Sequence, residues 1–434
     1  MYYNTKIYKL FCNVISMLEE IKDTLILQKR EMESKLKEKY VKRDAELKLN
    51  NRLIKVIAGP RRAGKSFFAI HFLSKVGEFG YINFDDERLV EVKNYDEIVE
   101  AMDIVYKNPK YVLLDEIQNL PRWELFVNRL QRHGPNLVIT GSNSNLLSKE
   151  LATHLTGRHL LTYVLPFSFA EFLKLDEKEL TSSETKRKLS EYLLHGGYPE
   201  ILINELDYKE YLLTLFNSIV YKDIIKRYGI RNAREIEDLA FYLISNVSNE
   251  YSYNSLTKIT AIKSSHTTEK YLKYLEESFI LFSLSRFSYK VKEQLSSNKK
   301  IYCIDNGFIQ AKSFKLSPDI GRIYENIVAV ELKKREIEGK LNIYYWKNSQ
   351  QEEVDFVIKE GTQVKQLLQV CFDIKNNNTR NREVRSLIKA GSELKCNNLL
   401  VITGDFESKE EIEWFGNRAV VKFIPLWKWL FAKD

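Results

Sequence analysis

The chain has 434 residues, 44% of them hydrophobic and 29% charged, and a net charge of +8. That composition fits an ordinary soluble protein of about two to four domains, and its mild basic excess permits nucleic-acid binding without establishing it. Cys12, Cys303, Cys371 and Cys396 stand apart, which suggests neither a disulfide framework nor a zinc site and leads us to expect a reducing cytoplasm. No apolar run nears the roughly 20 residues that span a bilayer, and Met1-Tyr2-Tyr3 lacks the order of a signal peptide.

Residues 1–49 read as a helical extension, with Leu10, Val14, Leu18, Ile21 and Leu25 at helical spacing. From Gln28 to Glu46 dense charges alternate in sign. The pattern predicts a solvated helix with intrahelical ion pairs; a partner-binding arm is the sharper alternative.

Residues 50–176 alternate strands and helices, the pattern of an α/β domain with a parallel sheet. The strand candidates are Leu53–Ala58, Tyr81–Phe84, Tyr111–Leu114, Leu137–Thr140 and Leu160–Leu165. The first runs into Gly59-Pro60-Arg61-Arg62-Ala63-Gly64-Lys65-Ser66-Phe67, a G-x-x-x-x-G-K-S loop between a strand and a helix. Its glycines would let successive N–H groups face one phosphate, Lys65 should reach the β- and γ-phosphates, and the Ser66 hydroxyl should ligate Mg²⁺.

Asp115 and Glu116 end the third strand, where such sheets present residues to a ligand. Asp115 would hold Mg²⁺ with Ser66, and Glu116 would orient and deprotonate the attacking water. Ser142 and Asn143, after the fourth strand, are equal candidates for sensing the γ-phosphate or the water, and a plain turn competes with both. Arg158 could stabilise transition-state charge in cis or from a neighbouring subunit, which would require a homo-oligomer; a structural salt bridge is the alternative. Asp85 and Asp86 are weaker candidates for the same crevice.

Residues 177–250 read as mostly helical, broken at Gly196-Gly197-Tyr198-Pro199, with Thr181–Lys188 a linker or an exposed helix start. Residues 251–310 outline a winged helix: Leu256–Ala261, Thr267 as cap of Glu269–Phe279, then β-prone runs at Ile280–Tyr289 and Lys300–Ile304. Lys263, Lys270 and Lys273 near the second helix, and Lys290, Lys292, Lys299 and Lys300 near the wing, are candidates for phosphate contacts; a solvated basic face is the alternative. Residues 311–434 read as a helix at Tyr324–Arg335, strands at Asn342–Tyr345, Val354–Ile358 and Leu367–Phe372, a helix at Arg382–Leu394 and a strand at Asn398–Thr403.

Several stretches together carry a resemblance. They are the phosphate loop, Tyr81-Ile82-Asn83-Phe84-Asp85-Asp86-Glu87-Arg88-Leu89, Leu114-Asp115-Glu116-Ile117-Gln118, Thr140-Gly141-Ser142-Asn143, Leu155-Thr156-Gly157-Arg158 and Pro166-Phe167-Ser168-Phe169-Ala170-Glu171-Phe172. From about Asn51 onward the chain resembles a family of AAA-type ATPases of archaea and bacteria. The resemblance implies ATP and Mg²⁺ as ligands, an extra strand before the Asp-Glu strand, a winged helix, and a tail similar to the PD-(D/E)xK nucleases. In that tail Glu325 fits the helix carboxylate and Asp355 the first-strand metal ligand. Where the family pattern has a carboxylate and a lysine, this chain has Gln369 and Cys371, so metal affinity and cleavage should fall unless a lysine such as Lys365 or Lys375 serves instead. The reading is an Mg²⁺-dependent ATPase acting on duplex DNA, with no membrane partner. A nucleotide-operated switch with little turnover and an active nuclease are the alternatives.

Overall fold

The computed structural model describes residues 2–141, 157–176, 178–312, 319–414 and 416–431. The chain divides into two compact units, Met1–Val164 and Leu165–Asp434.

The first unit is built on a five-stranded parallel sheet, β1 (Ile54–Ala58), β2 (Gly80–Asn83), β3 (Tyr111–Asp115), β4 (Asn136–Gly141) and β5 (His159–Tyr163), in the order β2-β3-β4-β1-β5. The apolar runs become these strands because a sheet covered on both faces rewards continuous apolar sequence. Every residue of β1 is buried. Because all five strands run the same way, Asn83, Asp115 and Gly141 end at the edge where β1 meets the phosphate loop. The extra strand expected before the Asp-Glu strand is β2, at the sheet's margin.

The N-terminal helix Tyr2–Lys35 lies against β2 and buries Ile21, Thr24, Leu25, Gln28 and Met32, a stripe at helical spacing. Gln28 accepts from the Asn83 N–H at 2.9 Å and donates to the Asn83 carbonyl at 3.0 Å, as a neighbouring strand would.

The expected solvated helix over residues 28–46 is corrected here. The helix stops at Lys35, and residues 39–50 are irregular. Val41, Arg43 and Leu47 are buried while Lys42, Asp44, Glu46 and Lys48 are exposed. The burial period is two, that of extended chain laid on a surface, so the alternating charges mark one face of a strap.

The second unit begins with helices. The Ser182–His195 helix opens on a capping box of Thr181 and Glu184, so residues 181–188 are a helix start rather than a linker. The break at Gly196-Gly197 lets the backbone approach Asp305, whose carboxylate accepts from the N–H groups of Gly197 at 2.7 Å and Gly307 at 2.8 Å. Burial pushes this carboxyl up to about 7.

A three-stranded antiparallel sheet follows, β6 (Glu250–Tyr251), β7 (Leu281–Ser285) and β8 (Lys299–Cys303), in the order β6-β8-β7. It accompanies the helices Tyr253–Thr260 and Ser265–Glu277. The cap of the second helix is Ser264, which accepts from the Thr267 N–H, and not Thr267.

The last part of the unit is a six-stranded mixed sheet of β9 (Asn342–Lys347), β10 (Glu353–Glu360), β11 (Gln363–Cys371), β12 (Leu399–Thr403), β13 (Ser408–Trp414) and β14 (Asn417–Pro425), in the order β13-β14-β12-β11-β10-β9. The Asn377–Leu394 helix packs on it around Val357, Leu367, Leu387, Val401 and Phe423.

Candidate functional site

The phosphate loop leaves β1 at Gly59, whose φ of +152° no side chain adopts readily. A Cβ there would stand 1.9 Å from the Val164 carbonyl oxygen, so the close approach to the end of β5 also demands glycine. Gly64, at φ +88°, caps the Lys65–Ser74 helix and offers no side chain to its first-turn N–H groups. Those N–H groups and the positive helix end face the mouth of the loop. Ala63 is fully buried, and its carbonyl accepts from the buried Arg43 of the strap at 2.9 Å.

Four residues converge at the loop. Ser66 donates to Asp115 Oδ1 at 2.8 Å. Lys65, 4% exposed, donates to the Pro60 carbonyl at 3.0 Å and lies 3.9 Å from Glu116. Asp115 also accepts from Tyr81 at 3.1 Å and from Thr140. Burial, with the neighbouring Glu116 charge, raises the Asp115 carboxyl above its ordinary range, while the Thr140 and Ser66 hydroxyls pull the other way. Burial, and after it the Asp115 charge, raises the Tyr81 phenol above its ordinary range. Glu116 has a φ of +49°, an uncommon conformation for a side chain of its size. Its N–H donates to Thr140 Oγ1 at 3.0 Å, and its carboxylate accepts from Gln118.

The donor set of Ser66 hydroxyl and Asp115 carboxylate, two hard oxygens already in contact, fits Mg²⁺. The cation would be held there and would neutralise charge on the phosphates.

Residues 59–67 of the expected site, with Asp115 and Glu116, are brought together. Ser142 and Asn143 lie outside the described residues. Arg158 is exposed and immediately precedes β5, and its carbonyl accepts from Ile54, the first residue of β1. The loop follows the last residue of that strand, so Arg158 stands at the opposite edge of the sheet, roughly 13 Å of strand away. At that position it is not brought to the loop of its own chain. Asp86 instead caps the Glu87–Val90 helix and pairs with Arg88 at 2.7 Å, and Asp85 accepts from Asn119 at 2.6 Å.

Sequence reasoning missed Tyr81, Thr140, Gln118 and Arg43. Thr140 had a signal, as the last apolar-run residue before Gly141 with a hydroxyl. Gln118 lies two residues after Glu116, where spacing alone gives an amide no role, and Tyr81 and Arg43 reach the site from distant positions.

In the second unit, Glu325 and Asp355 are brought together, by Lys300. The Lys300 ammonium lies 2.9 Å from Glu325, 3.1 Å from Asp355 and 2.6 Å from Glu353. Lys300 is 2% exposed and thus is no phosphate-contacting residue of a wing, which corrects the expectation. Burial alone would lower this ammonium, but Glu325, Tyr302, Asp355 and Glu353 outweigh it and hold it above its ordinary value. Burial and Asp355 push the Glu325 carboxyl up to about 7, against the pull of Lys300. Gln369 accepts from the Asp355 N–H at 3.2 Å and donates to Glu383 at 2.6 Å. Burial pushes the Cys371 thiol up to about 12. Lys365 is exposed beside Gln363, and Lys375 is exposed.

Among the remaining lysines, Lys263 and Lys270 line an open groove with Arg231, His266 and Tyr271. Lys273 and Lys290 pair with Glu277 and Glu293 on their own helices. Among the described residues, no group of three or more His, Cys, Asp or Glu is set to hold a metal, and no helix is long and apolar enough to cross a membrane.

The parallel sheet, the glycine-framed loop and the Ser66–Asp115 pair define a P-loop AAA-type ATPase domain, and a family described as "AAA domain" matches residues 51–173. Two families described as domains of unknown function match residues 186–318 and 320–429. The chain is 38% identical over 412 residues to the uncharacterized protein MJ1544 of Methanocaldococcus jannaschii, covering 91% of each, and belongs to the same family. An uncharacterized protein of Haemophilus influenzae is 30% identical over 379 residues, 83% of this chain and 91% of that one. Among solved structures, the Walker-type ATPase of Pyrococcus abyssi is similar at 17% identity, over 60% of this chain and 91% of that chain, with a TM-score of 0.41.

Proposed function

We propose that this chain binds ATP with Mg²⁺ at the phosphate loop and hydrolyses it. The observation that carries the reading is the Ser66–Asp115 hydrogen bond of 2.8 Å, with Lys65 and Glu116 at the same edge of the sheet. Lys65 would leave the Pro60 carbonyl for the β- and γ-phosphates. Glu116 would take the proton of the attacking water. Thr140 ties the two carboxylate-bearing residues into one unit, because its single hydroxyl contacts Asp115 and the Glu116 N–H. Arg158, exposed at the far edge, would serve the ATP site of a neighbouring subunit.

The coupled action is on duplex DNA. Supporting it are the helix-turn-helix with its antiparallel sheet, which we read as a winged helix, and the groove of Arg231, Lys263, His266 and Lys270. The tail is read as a PD-(D/E)xK-like domain that does not cut. The buried free cysteines Cys303, Cys371 and Cys396 suit a reducing cytoplasm.

The test is steady-state phosphate release with and without duplex DNA. Wild type should turn over ATP in Mg²⁺, faster with DNA, and Lys65→Ala should bind no ATP tightly. Tight binding by Lys65→Ala, or no hydrolysis in any condition, counts against it.

A further inference from the structure

β8 is a strand of the small antiparallel sheet, yet its second residue, Lys300, points its ammonium into the acidic cleft of the large one. The three carboxylates around it come from two elements: Glu325 from the Ile320–Ile337 helix, Glu353 and Asp355 from β10. An ammonium has three donors, and each is within 3.1 Å of a different carboxylate oxygen. The side chain is 3% exposed. The cleft is otherwise ordered around the same acids. Tyr302 donates to Glu325 at 2.7 Å, Val370 N–H donates to the other oxygen of Asp355 at 2.9 Å, and Lys347 stands 3.7 Å from Glu353.

We infer that Lys300 is a resident cation, occupying the position a divalent metal would take among Glu325, Glu353 and Asp355, and so keeping metal out of the tail. A lysine assisting a bound metal would have to leave these oxygens to it. Here the three oxygens that a hard cation would use are the three that hold the ammonium. What leaves no room for a metal beside it is the bonding already in place: one oxygen of each acid holds the ammonium, Lys347 stands at the second oxygen of Glu353, and the Val370 N–H is bonded to the second oxygen of Asp355. Gln369 completes the arrangement: its neutral amide adds no charge that would call for a second cation. The inference rests on the geometry of these side chains and stands whether or not the tail descends from a nuclease.

The test uses nucleotide-free full-length protein carrying Asp115→Asn, so that the phosphate-loop site does not report. Free Mn²⁺ is followed by electron paramagnetic resonance during titration. With Lys300 in place, no Asp355-dependent Mn²⁺ binding should appear. Lys300→Met keeps the apolar stem and removes the charge. It should bind one Mn²⁺ about tenfold or more tighter than its parent, and adding Asp355→Asn should abolish the gain. Asp355-dependent Mn²⁺ binding by the parent would overturn the inference, as would a folded Lys300→Met chain that binds none. If Lys300→Met does not fold in metal-free buffer, its circular-dichroism melt is repeated with Mn²⁺. Restoration of a cooperative melt supports the inference, and failure to restore it overturns it.

Discussion

Glu116→Gln should separate binding from turnover, and in opposite directions. In the resting site the Glu116 carboxylate lies 3.9 Å from the Lys65 ammonium, and both are largely buried. At an effective dielectric of about 20 such a pair attracts by about 4 kcal/mol. An incoming triphosphate must draw Lys65 away from this charge and then tolerate the same charge beside its own. The amide keeps the shape and removes the charge. Discounting the Coulomb figure by a half to two-thirds for partial solvation leaves about 1.4–2 kcal/mol, or roughly 10–30-fold tighter ATP binding. Turnover should meanwhile fall by about 10²–10⁴, because an amide accepts no proton from water. That is about 3–5 kcal/mol of barrier. Titration with a fluorescent ATP analogue gives the first number and single-turnover phosphate release the second. Hydrolysis at the wild-type rate, or binding weaker than wild type, would refute the roles assigned to this pair.

Asp115→Asn should abolish Mg²⁺-dependent turnover yet leave the chain at least as stable. The folded carboxyl titrates above its ordinary 3.8, so the native state keeps a proton that the unfolded state releases; wild type should therefore lose stability as pH rises from about 4, and the variant should not. Urea midpoints of both proteins across pH check this, and parallel curves would contradict it. Replacing Lys270 and Lys273 together by Glu should weaken duplex binding across all sequences and reduce the salt slope by about two or more. Binding unmoved by either the charge reversal or salt would end the phosphate-contact reading. The tail should cut neither DNA nor RNA in Mg²⁺ or Mn²⁺. Cleavage that survives Lys65→Ala but is lost in Asp355→Ala would show the opposite.

The phosphate loop and its five strands were readable because their signal is local. A glycine spacing or a run such as Tyr111–Asp115 contains its own explanation, burial on both faces of a parallel sheet. Residues 41–48 were misread because charges that alternate in sign suit a helix surface, while the apolar and charged alternation beneath them, Val41, Arg43, Ala45 and Leu47, suits extended chain. Ser408–Trp414 was overlooked for a related reason. Its exposed residues are charged, as the outer strand of a sheet requires, so only Ile412 and Trp414 mark it as apolar. Lys300 could not be recognised at all from spacing. Its partners lie 25 to 55 residues onward, and a lysine beside Lys299 looks like one more surface charge.

The Gln28 side chain bonds to Asn83, 55 residues further along, and this separation sets a schedule for synthesis. At about 5–20 residues per second, roughly 3–11 s pass between the making of the helix residue and the making of its partner. Through that interval Ile21, Leu25 and Met32 have neither β2 nor the Tyr95–Tyr106 helix to lie on, although their own helix can form in microseconds. The stripe is then an exposed apolar surface on a nascent chain, open to holding chaperones and to neighbouring chains. Slowing translation between residues 28 and 83 should lengthen that exposure without changing the finished fold.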